Sequence, residues 1–143
     1  MINMLSSVIL VVTSFSVLMS YPSGAPRCNI RPGHGVIQGN VTIIVHKTDN
    51  RWQLNISDAH RGLLIHSSCQ GVWELPDDSE YHHVDEVCVT HNHNGVKTEA
   101  VFTFISTEDC TADHLDEIFS GFLVKSYQDI FKLTFRYVEV CFL

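Results

Sequence analysis

Residues 21–35 read YPSGAPRCNIRPGHG. Pro22, Pro26 and Pro32 hold the backbone in extended or turn geometry, while Gly24, Gly33 and Gly35 permit tight bends. No helix can run through such a stretch, and Cys28 in its middle offers a covalent anchor. It reads as an arm laid against a folded body rather than as a linker.

Working back toward the N-terminus, residues Met1 to Ser20 carry no charged side chain and contain the apolar run Val8 to Val12, followed by Phe15, Val17, Leu18 and Met19. That run of about 12 residues is shorter than the roughly 20 needed to cross a bilayer. Residues 1–20 therefore read as a secretory signal peptide, with Tyr21 opening the mature chain. Residues 21–143 are enough for one domain with one core, and no later apolar run approaches membrane length. No stable membrane anchoring is expected.

The chain of 143 residues has a formal net charge of −7. Acids gather at Glu74, Asp77, Asp78, Glu80, Asp85 and Glu86, and again at Glu108, Asp109, Asp113, Asp116 and Glu117. Such a surface repels phosphate backbones and anionic lipid, which argues against nucleic-acid binding and against cationic membrane lysis.

Five cysteines, Cys28, Cys69, Cys88, Cys110 and Cys141, in a chain sent to an oxidising compartment imply two disulfides and one leftover thiol. The residues alone leave the pairing open. A zinc site is opposed by the absence of any CxxC, and only Cys88 and His91 stand near ligand spacing. Asn40-Val41-Thr42 and Asn55-Ile56-Ser57 fit the N-glycosylation pattern, which requires an exposed strand face or loop at Asn40 and Asn55.

Short β-rich runs recur at 41–46, 52–57, 63–67, 86–91, 99–105, 118–126 and 131–140, with turn signals between them. Val41, Ile43 and Val45 oppose Thr42, Ile44 and His46; Phe102 and Phe104 oppose Val101, Thr103 and Ile105. This pattern predicts an all-β antiparallel β-sandwich of about 7–9 strands. Residues 112–122 also carry a helical face, through Leu115, Ile118, Phe119 and Phe122, and strand is expected for the second half.

Four segments in order resemble the reeler domain family, whose members include small secreted invertebrate defence proteins. They are the opening stretch through Gly35; Arg61-Gly62-Leu63-Leu64-Ile65, with His60 in place of the usual aromatic; Cys88-Val89-Thr90-His91 with Lys97-Thr98 and Val101 to Phe104; and Phe119 to Tyr127 with Ile130-Phe131. The resemblance spans Tyr21 to about Leu133. Phe104 stands where the family has tryptophan, and an acidic run at 106–113 replaces a proline-containing segment. The resemblance implies an immunoglobulin-like sandwich, a Cys28–Cys88 bridge, a Cys110–Cys141 bridge and a free thiol at Cys69.

Nine histidines invite a metal reading. His82-His83 and His91-x-His93 could supply nitrogen ligands if their loops met, but exposed loop positions and a local hydrogen bond at His91 are the favoured account of them, and no metal or cofactor is expected. Ser67-Ser68-Cys69 lacks the strand-turn-helix frame of a nucleophile elbow, and Gly33 and Gly35 precede a strand rather than a helix, so no enzyme is expected. Trp52 suits the buried core tryptophan of a sandwich. Trp73 also suits a core position; with Tyr81, beside the first acidic cluster, it is otherwise a candidate ligand-binding aromatic, since an exposed ring can stack on a sugar. The single-domain architecture and the family resemblance together imply a secreted, non-enzymatic innate-immunity protein that binds microbial surface components such as lipopolysaccharide or other glycans. The alternative is an extracellular adhesion or matrix-interaction module that binds host proteins.

Overall fold

Alternation of apolar and polar side chains decides which face of each strand turns inward. In the computed structural model, which describes residues 24, 25, 28, 37–111, 114–126 and 129–138, nine strands form: β1 (Ile37–Thr48), β2 (Arg51–Ile56), β3 (Gly62–Ser67), β4 (Gly71–Glu74), β5 (Tyr81–Asp85), β6 (Cys88–His91), β7 (Ala100–Ser106), β8 (Phe119–Ser126) and β9 (Asp129–Tyr137). Val41, Ile43 and Val45 of β1, Trp52, Leu54 and Ile56 of β2, and Phe102 and Phe104 of β7 are buried, while their alternates face outward or lie half-covered. One turn of 3-10 helix, Leu115–Glu117, precedes β8, so the helical face seen in 112–122 extends no further than this among the described residues.

Hydrogen bonding joins the strands in the order β4-β7-β2-β1-β9-β8-β3-β6-β5. The first half of β1 pairs with β9 and its end pairs with β2, with Ile44 and Val45 bonded on both sides. The sheet folds over on itself at this strand. Phe119 of β8 consequently packs against Trp52 of β2 at 5.7 Å, Trp73 of β4 at 5.7 Å and Phe104 of β7 at 5.6 Å, although these strands are far apart in hydrogen-bonding order. The two ends also approach each other, since Tyr81 of β5 lies 4.7 Å from Phe102 of β7. The all-β sandwich expectation thus holds, in a nearly barrel-shaped form. One pair departs from an antiparallel plan: β1 and β9 run parallel.

The opening arm is docked as its residues suggest. Gly24 has φ 98°, and a Cβ there would run into the carbonyl of His91, so glycine is required. The amide of Ala25 donates to Thr90 Oγ1 at 3.0 Å, and Cys28 is bonded to Cys88 with a Cα separation of 5.9 Å.

The second bridge differs from the one that the resemblance implied. Cys69 is joined to Cys110, with Cα atoms 6.2 Å apart, so Cys69 is not a free thiol and Cys110 is not paired with Cys141. Cys141 lies outside the described residues, as does the expected signal peptide at 1–20. The reason is β4, a four-residue strand too short to read from periodicity. Its register places Gly71 opposite Ser106, and Thr107 donates to the carbonyl of Gln70 at 3.0 Å, which carries Cys69 alongside the segment that follows β7.

Candidate functional site

The segment between β6 and β7 is tied down at both ends, and beneath it lies a groove. The Asn92 side-chain Nδ2 donates to the carbonyls of Asp78 at 2.8 Å and Tyr81 at 3.2 Å. Its backbone amide donates to the carbonyl of Glu80 at 2.8 Å, and its Oδ1 meets His82 Nδ1. At the other end His60 and Lys97 exchange backbone bonds of 2.9 and 2.7 Å. The Lys97 ammonium turns inward, 3% exposed, and donates to the carbonyls of Arg61 at 2.8 Å, Gly95 at 2.8 Å and His93. A buried ammonium requires all three donors to be satisfied, and here backbone carbonyls do it. Burial nevertheless pushes the Lys97 amine below its ordinary value, with the nearby Glu80 carboxylate opposing the shift.

Beneath this loop His60 Nδ1 faces the carbonyl of Asp58 at 2.8 Å, which assigns the proton to Nδ1 and leaves Nε2 to accept from the Tyr81 hydroxyl at 2.8 Å. Burial is the main cause that holds the His60 imidazole below its usual range, with Lys97 adding to it. Burial likewise raises the Tyr81 phenol, seconded by Glu80 and Asp77. Both rings are therefore neutral at pH 7.

The groove above this floor encloses about 390 Å³ and is lined by Pro76, Asp77, Glu80, Val96, Thr98 and Glu99, with Tyr81, Lys97 and Ala100 below. Such a volume falls within the range of small-ligand sites. Its polar character is acidic. The Ser79 hydroxyl and amide, at 2.7 and 2.8 Å from Asp77 Oδ1, hold the Asp77 carboxyl below the ordinary range and ionised. Glu80 pairs with His93 Nε2 at 3.3 Å on the outer rim. Pro76 and Val96, the latter 58% exposed, supply apolar wall.

Trp73 and Tyr81 are not exposed platforms. Both are 2% exposed; Trp73 donates Nε1–H to the carbonyl of Val87 at 2.9 Å, and Tyr81 bonds to His60. Trp73 belongs to the aromatic core, and Tyr81 forms the groove floor without presenting its ring face outward. Asn40 is exposed and Asn55 half-buried, both on strand faces turned away from the core. His91 is buried and accepts from the Leu63 amide at 3.0 Å, while His83 is exposed. The histidines do not gather into a group of three or more ligands among the described residues. The groups that do form, Cys28 with Asp85 and Cys88, and Cys69 with Glu108 and Cys110, have their sulfurs committed to disulfides. His60, Lys97 and Glu99 were not singled out as site residues; the one hint at His60 is that it replaces an aromatic.

No known family model matches the chain, and no curated protein matches it. Among solved structures it is similar to the Reelin-N domain of F-spondin, with a TM-score of 0.52 at 14% identity over 69% of this chain and 83% of that one. A human F-spondin reeler domain aligns at a TM-score of 0.48 and 13% identity, over 72% and 88% of the two chains. The class of protein defined by this architecture is an all-β module with the reeler-domain fold. Two disulfides suit it to an oxidising compartment, and no helix among the described residues is long and apolar enough to cross a membrane.

Proposed function

We propose that the chain is a secreted, non-enzymatic defence module that binds microbial surface glycans in the groove beneath the 92–99 loop. The observation that carries this reading is the groove itself, in which the carboxylates of Asp77, Glu80 and Glu99 flank an apolar wall of Pro76 and Val96. Sugar hydroxyls donate well to carboxylates, and the C–H faces of a pyranose pack on small apolar side chains. Three carboxylates repel phosphate, so of a lipopolysaccharide the neutral polysaccharide is the part that suits the groove, and its phosphorylated lipid is not. The non-enzymatic part draws support from the floor, where His60, Tyr81 and Lys97 are all engaged with the protein and closed to solvent.

The alternative, an extracellular adhesion module for host proteins, is supported by the same acidity, which suits a basic peptide segment. A binding panel decides between them: neutral microbial polysaccharides, intact lipopolysaccharide, its lipid portion and a lysine-rich peptide, each titrated calorimetrically against the purified chain. Glu99→Gln should weaken polysaccharide binding about tenfold, the loss of one charge-assisted hydrogen bond. Binding to the peptide alone, or to polysaccharide with unchanged affinity in the Glu99→Gln variant, overturns the reading.

A further inference from the structure

We infer that an N-linked glycan on Asn55 is a structural cover for the outer face of the β1-β2-β7 layer, its first sugar lying across Ile44 and Val101. This rests on the secretion part of the proposed function.

The strand register carries the inference. Ile44, Asn55 and Val101 stand side by side in one row across β1, β2 and β7. Directly opposed side chains in an antiparallel pair have Cβ atoms about 5 Å apart, so a group on Asn55 emerges between the two apolar neighbours. Val101 is 44% exposed and Ile44 half-covered, an apolar pair on an outward face that the fold leaves uncovered. The next row, His46, Gln53 and Thr103, is polar, so the apolar surface centres on Asn55.

The amide of Asn55 is available. Asn50 and Asn92 use their side-chain amides on the carbonyls of Ser106, Asp78 and Tyr81, whereas Asn55 makes no side-chain hydrogen bond among the described residues. Ser57, the hydroxyl residue of its acceptor motif, is exposed.

Asn40 provides the internal contrast. It is exposed on the first half of β1, which pairs with β9 alone, and its neighbour in register is the exposed Lys132. A sugar there meets a charged side chain and open solvent. The two acceptor sites are therefore inequivalent: one glycan is a cover and the other a free projection.

The test uses the full chain expressed in a secreting eukaryotic cell line. Glycopeptide mapping should find Asn55 occupied. Its loss through Asn55→Gln, or through Ser57→Ala, which keeps the asparagine, should lower Tm by about 3–5 °C and raise aggregation on heating. Asn40→Gln should leave both unchanged. In a Val101→Thr background the penalty for losing the Asn55 glycan should shrink, because the surface that it covers has become polar. A secreted chain with Asn55 bare overturns the inference, as do equal Tm shifts at both sites or an unchanged penalty in the Val101→Thr background. A folded chain retained in the cytosol with both asparagines unmodified overturns the secretion reading instead.

Discussion

His60 Nε2 and the Tyr81 hydroxyl stand 2.8 Å apart, both side chains closed to solvent, and this bond joins the start of β3 to the start of β5 beneath the groove. It forms only with a neutral imidazole whose Nδ1 proton is given to Asp58. The pair makes the groove floor sensitive to acid.

Burial lowers the His60 pKa from its ordinary 6.5, so below that pH the unfolded chain binds a proton that the folded chain resists. Stability is complete above pH 6.5 and falls as pH drops toward the lower folded value. Asp77, also lowered, acts in the same direction nearer its ordinary 3.8. Tyr81, which is raised, adds a loss above pH 10.0, where only the unfolded chain ionises. Thermal melts from pH 8 to 5 should show the acid decline, and His60→Phe should flatten it between about 6.5 and 5 while costing about 1–3 kcal/mol at neutral pH through the stranded Tyr81 hydroxyl and Asp58 carbonyl. A wild-type Tm that is level over this range contradicts the assignment.

Lys97→Met keeps the aliphatic stem and removes the ammonium, which leaves the carbonyls of Arg61, His93 and Gly95 without their donor. The expected cost is about 3 kcal/mol by denaturant titration. Faster amide exchange should be confined to the loop that the ammonium holds, and a variant with unaltered exchange there would show that the cage is dispensable.

Reduction-free peptide mapping should recover Cys69 linked to Cys110 and Cys28 linked to Cys88. Replacing both Cys69 and Cys110 with alanine opens a loop with a sequence separation of 41 and should cost about 4 kcal/mol by the chain-entropy account. Recovery of a Cys110–Cys141 peptide would refute the pairing.

Phe119 touches Trp52, Trp73, Phe104 and Phe135, and so joins both layers. Phe119→Ala should cost about 3–5 kcal/mol in urea unfolding. Phe131→Ala, at a half-buried ring on β9, should cost clearly less.

Much of the fold was legible in the sequence. Alternation marked the buried face of β1, the turn between the first two β-rich runs became a two-residue hairpin with Asp49 at φ 55°, and the cysteine of the opening arm marked its anchoring, which the family resemblance put at Cys88 on β6. The strands that periodicity missed were β4 and β5, of four and five residues, both at sheet ends where one side of the ladder is open. They carry Trp73 and Tyr81, and without those two strands the sequence does not fix either ring's place in the core.

What the sequence by itself determined was whatever depends on neighbours along the chain: period-two burial, turn residues, the acidic balance and the bridge-ready arm. Only the tertiary structure decided which distant groups meet. Pairing of β4 with β7 selected Cys69 as the partner of Cys110, the inward turn of Lys97 shaped the groove, and strand register set Asn55 between Ile44 and Val101. The physical reason is that alternation specifies a face but not a neighbour: local patterning tells each strand which side to bury, and only the pairing of the whole sheet tells it beside whom.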